Sequence, residues 1–275
     1  MTEALAAPVP VRGPSLRLAR LASALALPVL IVGLWELAAA RNWIPPGLIP
    51  PPSQSLAAWY VWAFGSPGLG LNPYSGTWFE TCLYSAERVA QGYAQAIVIG
   101  VPLGILIGWS RFTERTVDPL IQLLRPIPIT AWLPFSIALF GIRNFGAVFL
   151  IMIGAFYPIV VNSTHGARDI SRNLVRAARM LGTPERDLLW RVVLPNALPA
   201  IFTGLRLGLG VAWTAVIVAE IVALKSGLGY VLWDAYYVGR MDVVLADMAS
   251  IGILGFLSDR LLLLVAARVL HWKQI

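Results

Sequence analysis

Charge is scarce in this 275-residue chain: Asp, Glu, Lys and Arg together make up 13% of it, about half the ~25% of an ordinary soluble domain. Cys82 is the one cysteine, which excludes an intrachain disulfide and leaves the redox compartment unread. Lys225 and Lys273 are the only lysines, and neither stands in a GxxxxGK[ST] context, so the chain holds no nucleotide through a phosphate-binding loop of that form. His165 and His271 stand far apart, with no HExxH and no cysteine cluster, which leaves no pattern for a zinc site. Each histidine is expected as a polar residue near the end of a membrane span. No His, Asp and Ser cluster lies within the apolar segments, which argues against a membrane-embedded enzyme.

Apolar residues are abundant instead, at 58% of the chain, with a mean hydropathy of +0.72. Crossing about 30 Å of hydrocarbon takes roughly 20 mainly apolar residues, and several segments have that length. Six spans are expected, near 21–40, 83–109, 119–142, 145–163, 197–222 and 243–266, in an all-α membrane protein with no sizeable soluble core. The third contains "RPIPITAWLP", whose Pro126, Pro128 and Pro134 remove amide donors and oppose a straight helix. A break at membrane depth is tolerated where protein or a water-filled cavity satisfies the freed backbone groups. The first apolar run is longer than the 7–15 residues, roughly, of a signal-peptide core, which favours a retained helix. Residues 1–20 form a Pro- and Ala-rich leader, expected to be disordered, and 21–275 a single transmembrane domain.

Orientation follows from the 21 lysines and arginines. With the amino terminus inside, 14 fall on cytoplasmic segments and four on external ones, the remaining Arg88, Arg125 and Arg206 lying within spans. That asymmetry obeys the positive-inside rule and places both termini in the cytoplasm. It also accounts for the net charge of +7 without a nucleic-acid partner.

Six of the inside charges belong to one loop between the fourth and fifth spans, residues 165–195, which includes "VRAARMLGTPERDLLWRVVLP". Ser171 is expected to cap a helix through "RNLVRAARML", Gly182 to end it in a left-handed conformation, and Thr183 with Pro184 to open a second helix at about 184–191. Glu185 and Asp187 suit the positive end of that helix. An ordinary basic loop satisfies the charge rule, but it has no need of so built an elbow.

Within the spans, ionisable residues cost about 2.5–3.5 kcal/mol at the centre on insertion scales, so each is a functional candidate. Arg88 and Arg206 lie close enough to span ends to snorkel and are expected as interfacial or structural residues rather than substrate ligands, while Glu36 and Asp247 are expected near the outer interface. Glu220 follows Arg206 and Trp213 at spacings that put the three on roughly one helix face. It is a candidate for a bond to a neighbouring helix, for a gate or for the translocation pathway. Trp213, and Thr130 with Trp132 beside the prolines, are further pathway candidates. Gly100, Gly104 and Gly108, and again Gly204 and Gly208, recur every four residues and predict close helix packing.

The elbow resembles the cytoplasmic signature of permease subunits of ATP-binding-cassette importers: Glu-Ala-Ala, three residues, Gly, nine residues, Ile, one residue, Leu-Pro. Arg176, Ala177 and Ala178 occupy the triplet, then come Gly182, Val192, Leu194 and Pro195, with the spacing matched throughout. Arg176 replaces the glutamate and Val192 the isoleucine. The resemblance covers roughly 80–272. "LLRPIPITAWLPFSIALFGI", "VVLPNALPAIFTGLRLGLGVAWTAVIVAEIV" and "GLGYVLWDA" are similar to the branch serving nitrate, sulfonate, taurine and bicarbonate.

The resemblance implies a type I importer permease in a bacterial plasma (inner) membrane. Its partners would be two separate ATPase subunits, a second permease in a homodimer or heterodimer, and an external substrate-binding protein. ATP and magnesium would sit on the ATPase, with no cofactor on this chain. It further implies that Arg176, Ala177, Ala178, Gly182, Thr183, Pro184, Glu185, Leu194 and Pro195 belong to the coupling element, with Leu188, Leu189 and Trp190 touching the ATPase. The expected cargo is an oxyanion or sulfonate, and a neutral heterocycle such as a pyrimidine is the alternative. Passage is expected along broken-helix amides and the edges of Trp132 and Trp213 rather than past a fixed charge. An ion-coupled secondary transporter would show inverted repeats and more buried acids; no such repeat is visible.

Overall fold

The computed structural model describes residues 14–45, 49–65 and 73–271, and among these the regular structure is all helical, with no strand. Helix α1 covers Pro14–Ala40, α2 Pro52–Phe64 and α3 Trp78–Trp109. Next come α4 Arg111–Thr116, α5 Asp118–Leu124, a 3₁₀ turn at Ile129–Trp132 and α6 Leu133–Phe140. Helix α7 covers Asn144–Arg168, α8 Arg172–Met180 and α9 Glu185–Leu188, which passes through a π turn at Leu189–Val193 into α10, Leu194–Ala223. Finally α11 covers Leu228–Tyr237 and α12 Met241–Val269.

Among the described residues, α3, α7, the continuous run Glu185–Ala223 and α12 are long and apolar enough to cross a membrane. The broken segment supplies a fifth crossing if its halves, Arg111–Leu124 and Ile129–Phe140, count as one span; they meet at 96°. Pro126 and Pro128 make this break, since neither offers an amide hydrogen to continue the helix. Helix α1 begins at Pro14, inside the supposed leader, and carries an apolar stretch over Ala26–Ala40. The rest of the expected leader, residues 1–13, lies outside the described residues.

Helix α7 is the centre of the bundle, flanked by α3 and α10 along most of its length. Small residues make that possible. A Cβ on Gly104 would sit 2.5 Å from the Ser163 Cβ and 2.6 Å from the Val160 carbonyl oxygen, and one on Gly204 would sit 2.7 Å from the Asn162 Cβ. Both glycine ridges therefore face α7, and backbone contact replaces side-chain contact as the source of dispersion energy. Helix α12 turns Ile253, Phe256, Leu257, Leu261 and Leu264 outward, as a lipid-facing surface requires.

Polar contacts tie the helix ends opposite the elbow. Glu36 accepts from the backbone N–H (3.1 Å) and hydroxyl (2.7 Å) of Ser53, satisfying a free donor in the first turn of α2. The Tyr74 hydroxyl donates to Asp234 on α11 at 2.6 Å; burial and that carboxylate push its pKa well above the usual tyrosine range. Asp247, expected at the interface, is instead fully enclosed.

The charge asymmetry and the exposure of Ser171 and Lys225 generate a topological prediction. In a Cys82→Ser background, Ser171→Cys should react with membrane-impermeant maleimide only from the cytoplasmic side and Lys225→Cys only from the external side. Reaction of both from one side would contradict the span order.

Candidate functional site

Three polar constructions interrupt the apolar bundle: an elbow at the start of α10, a buried clamp at its far end, and a cavity beside the broken span.

The elbow starts where α8 ends. The Thr183 N–H donates to the Ala178 carbonyl at 3.1 Å and the Gly182 N–H to that of Arg179 at 3.0 Å, a Schellman closure that needs a left-handed residue between them. Gly182 supplies it at φ +78°. Arg179 crosses the bend to Glu185 at 2.9 Å, an exposed pair worth little by itself. Two expected caps are not formed by side chains. Ser171 holds the N-cap position of α8 without a capping bond, and Pro184 rather than Thr183 sits at the start of α9. Nor is the second helix a separate piece. It continues through the π turn into α10 as one run of 39 residues, Glu185–Ala223, about 58 Å at 1.5 Å per residue.

The outward face of the elbow is not the one expected. Leu188 is fully buried with Val193 and Ala167, packed against Val175 and Ala178, and Leu189 is half-buried beside them. A helix this close to its own bundle turns those side chains inward. Trp190 is exposed as expected, joined by Met180 at 87% and Leu181 at 86% exposure. These two were missed, although large apolar residues immediately before a helix-ending glycine in an arginine-rich loop are a legible signal. Arg176 and Glu185 are exposed, while Ala177, Pro195 and Thr183 complete the turn or lead into α10 without burying a polar group.

The outer clamp centres on Arg88, which is enclosed rather than snorkelling, at 6% exposure. Its guanidinium donates to Glu220 at 2.7 Å, to the Ser226 carbonyl at 2.9 Å and hydroxyl at 2.7 Å, and to the Asn144 side chain at 2.6 Å. Glu220, fully buried, also accepts from the Gly229 N–H at 2.9 Å, and the Ser85 hydroxyl lies 2.8 Å from one carboxylate oxygen. Ser85 in turn accepts from the Leu228 N–H at 2.9 Å. Charge-assisted bonds of this number and shortness leave both ions satisfied without water. Gly227, at φ +103°, has no room for a Cβ because the Glu220 carboxylate lies against it. Glu220 thus bonds neighbouring helices, one of the roles open to it.

Trp213 has a similar part: its indole donates to Ser258 on α12 at 2.9 Å. About two turns below it, Arg206 forms a two-pronged pair with Asp259 at 2.6 and 2.9 Å. Both bonds fasten α10 to α12.

The cavity, about 390 Å³, lies between the broken span, α7 and α10. Trp132 lines it with Tyr157, Asn162, Val211 and Arg125. Thr130 is exposed but is not among its walls, so the four pathway candidates do not converge. Arg125 brings a cation to this cavity.

Known proteins match this architecture. The family described as binding-protein-dependent transport system inner membrane component matches residues 100–271. A taurine transport system permease protein of Escherichia coli K12 is 34% identical over 242 residues, covering 88% of this chain and 86% of its own. A nitrate import permease protein of Synechocystis is 37% identical over 190 residues, 69% of each. The fold is shared with a chain of the MetNI methionine ABC transporter in inward-facing conformations, at a TM-score of 0.64 and 20% identity, covering 73% of this chain and 99% of that one.

The clamp generates a stability prediction. Arg88→Ala strands the Glu220 carboxylate in a water-free site and should cost about 3–5 kcal/mol, whereas Arg88→Met with Glu220→Met should recover most of the loss. Denaturant unfolding in detergent, followed by tryptophan fluorescence, measures both. A loss below about 1 kcal/mol for Arg88→Ala would equate the pair with a surface salt bridge.

Proposed function

Because the chain belongs to the family of binding-protein-dependent transport system inner membrane components, and is an ABC importer permease, we propose that it carries a small oxyanion or sulfonate into the cytoplasm. The observation that supports this reading most is its likeness to permeases named for nitrate and taurine over two thirds or more of the chain. Two copies would form the path, a binding protein would deliver solute to the external loops, and ATP would be hydrolysed on two separate subunits. The chain itself would be non-catalytic.

In this reading the elbow is the handle of the motor. Met180, Leu181 and Trp190 offer exposed apolar surface at one end of a rigid run, and burying such side chains in an ATPase groove is worth about 1.5–3 kcal/mol each. Arg176, where the family pattern has glutamate, points to an acidic rather than a basic contact on the motor. Movement at the elbow would be carried by α9 and α10 to the outer clamp, so that closure of the ATPase pair favours one orientation of the permease pair.

External charges fit a division of labour. On the two larger outer loops, residues 41–80 and 223–242, Arg41, Lys225 and Arg240 are offset by Glu80, Asp234 and Asp242, leaving no electrostatic funnel for anions there. Selection would then begin in the binding protein. Uptake by the complex reconstituted with its ATPase and binding protein tests the reading, comparing nitrate, bicarbonate, taurine, an alkanesulfonate and a neutral pyrimidine. ATP-dependent uptake of at least one anion is expected, and uptake of the pyrimidine alone would overturn the anion assignment while leaving the permease intact.

A further inference from the structure

We propose that the cavity beside the broken span is a transient binding station for the transported anion, with Arg125 as its specificity-determining charge. This rests on the reading of the cargo as an oxyanion or sulfonate. Four observations carry it.

First, the Arg125 guanidinium is exposed and makes no ion pair or hydrogen bond among the described residues, whereas Arg88 and Arg206 are paired with Glu220 and Asp259 and Arg260 lies 4.7 Å over the Phe256 ring. An arginine at membrane depth is costly and is kept where it faces a water-filled cavity or meets a counter-charge. Second, the cavity it lines reaches the middle of the bundle: Gly154 lies near the centre of α7, and Leu207 and Val211 near the centre of α10. Third, the walls add uncharged donors. The Tyr157 hydroxyl makes no hydrogen bond to the described residues, and Asn162 spends one amide hydrogen on the Pro158 carbonyl at 2.8 Å and keeps the other. Fourth, the space of about 390 Å³ holds a small anion together with its water and is far larger than the roughly 30 Å³ that one water occupies.

The chemistry is that of a weak site. One guanidinium with a phenol and an amide selects negative charge and planar or tetrahedral oxygens, but without a second cation it does not enclose them. Open on one side, the site favours entry and permits release, as conduction demands. Solute selection by charge would thus take place at the membrane midpoint, where the outer loops provide none.

The test uses the electrostatic potential directly. In a Cys82→Ser background, Ile127→Cys places a thiol on the cavity wall two residues from Arg125. In the complex reconstituted in phosphatidylcholine vesicles, a sulfonate-bearing methanethiosulfonate should modify it faster than the trimethylammonium analogue. Arg125→Gln should lower that rate ratio about tenfold, the lower bound for charge focusing in a cleft, and Arg125→Lys should preserve it. Millimolar taurine or nitrate should slow the sulfonate reagent in the unmutated Arg125 background, a measurement independent of how Arg125→Gln folds. Anion uptake by Arg125→Gln should fall by a similar factor while ATP hydrolysis stimulated by the binding protein persists. A ratio unchanged by Arg125→Gln, no protection by either anion, or unchanged anion uptake would overturn the station alone. Protection that appears only with phosphatidylglycerol vesicles would assign the charge to a lipid phosphate and overturn it too. Uptake confined to neutral solutes would instead overturn the proposed cargo.

Discussion

Removing an arginine and a glutamate from water is the most expensive polar act in this molecule, and the ion pair they form sets the geometry of its outer half. Hydrocarbon offers no solvent to share the load, so Arg88 and Glu220 are tolerable only with every remaining donor and acceptor engaged. Ser85, Asn144, Ser226 and Gly229 provide that engagement. The consequence is mechanical. Residues of α3, the start of α7, the end of α10 and the turn into α11 cannot separate without stranding a charge, which makes the outer end of the bundle one unit.

At the inner end the same long run, Glu185–Ala223, emerges as the elbow. Helix α7 lies against it through the Gly204 and Gly208 contacts and against α3 through the Gly92 to Gly108 ridge, so the three helices form a slab in which backbones touch. Slabs of this kind shift as rigid bodies because packed interfaces have discrete arrangements. Helical regularity is interrupted at the π turn at Leu189–Val193 and at the broken span. One interruption lies beside the elbow, the other beside the cavity that Arg125 lines.

Much of this was legible in the sequence, for physical reasons that can be named. Apolar run length identified the spans because hydrocarbon thickness fixes it. Pro126 and Pro128 announced the break because a missing amide hydrogen cannot be supplied by context. Gly182 announced its left-handed turn because spacing from "RAARML" to "TPE" left it the only residue suited to one. The clamp was not legible. Arg88 looked like a snorkelling residue, since its distance from the span end is a local property, whereas its partners are 56, 132 and 138 positions away. Leu188 was assigned outward by proximity to the elbow, and only the packing of α8 against the π turn shows it facing in. Arg125 was visible as a charge in a span, but its lack of a partner is a three-dimensional fact.

The central claim is that a fixed bend at Gly182 transmits the motor's movement to α10. A Cβ at this position would meet nothing within 4 Å, so substitution there alters backbone preference alone. The direct measurement is uptake and ATP hydrolysis by the reconstituted complex carrying Gly182→Val or Gly182→Asn. Asparagine adopts the left-handed conformation with little strain and valine does not. The account predicts that the asparagine variant transports nearly normally, while the valine variant reaches the membrane but associates weakly with the ATPase and takes up little solute. Normal uptake by the valine variant would contradict it.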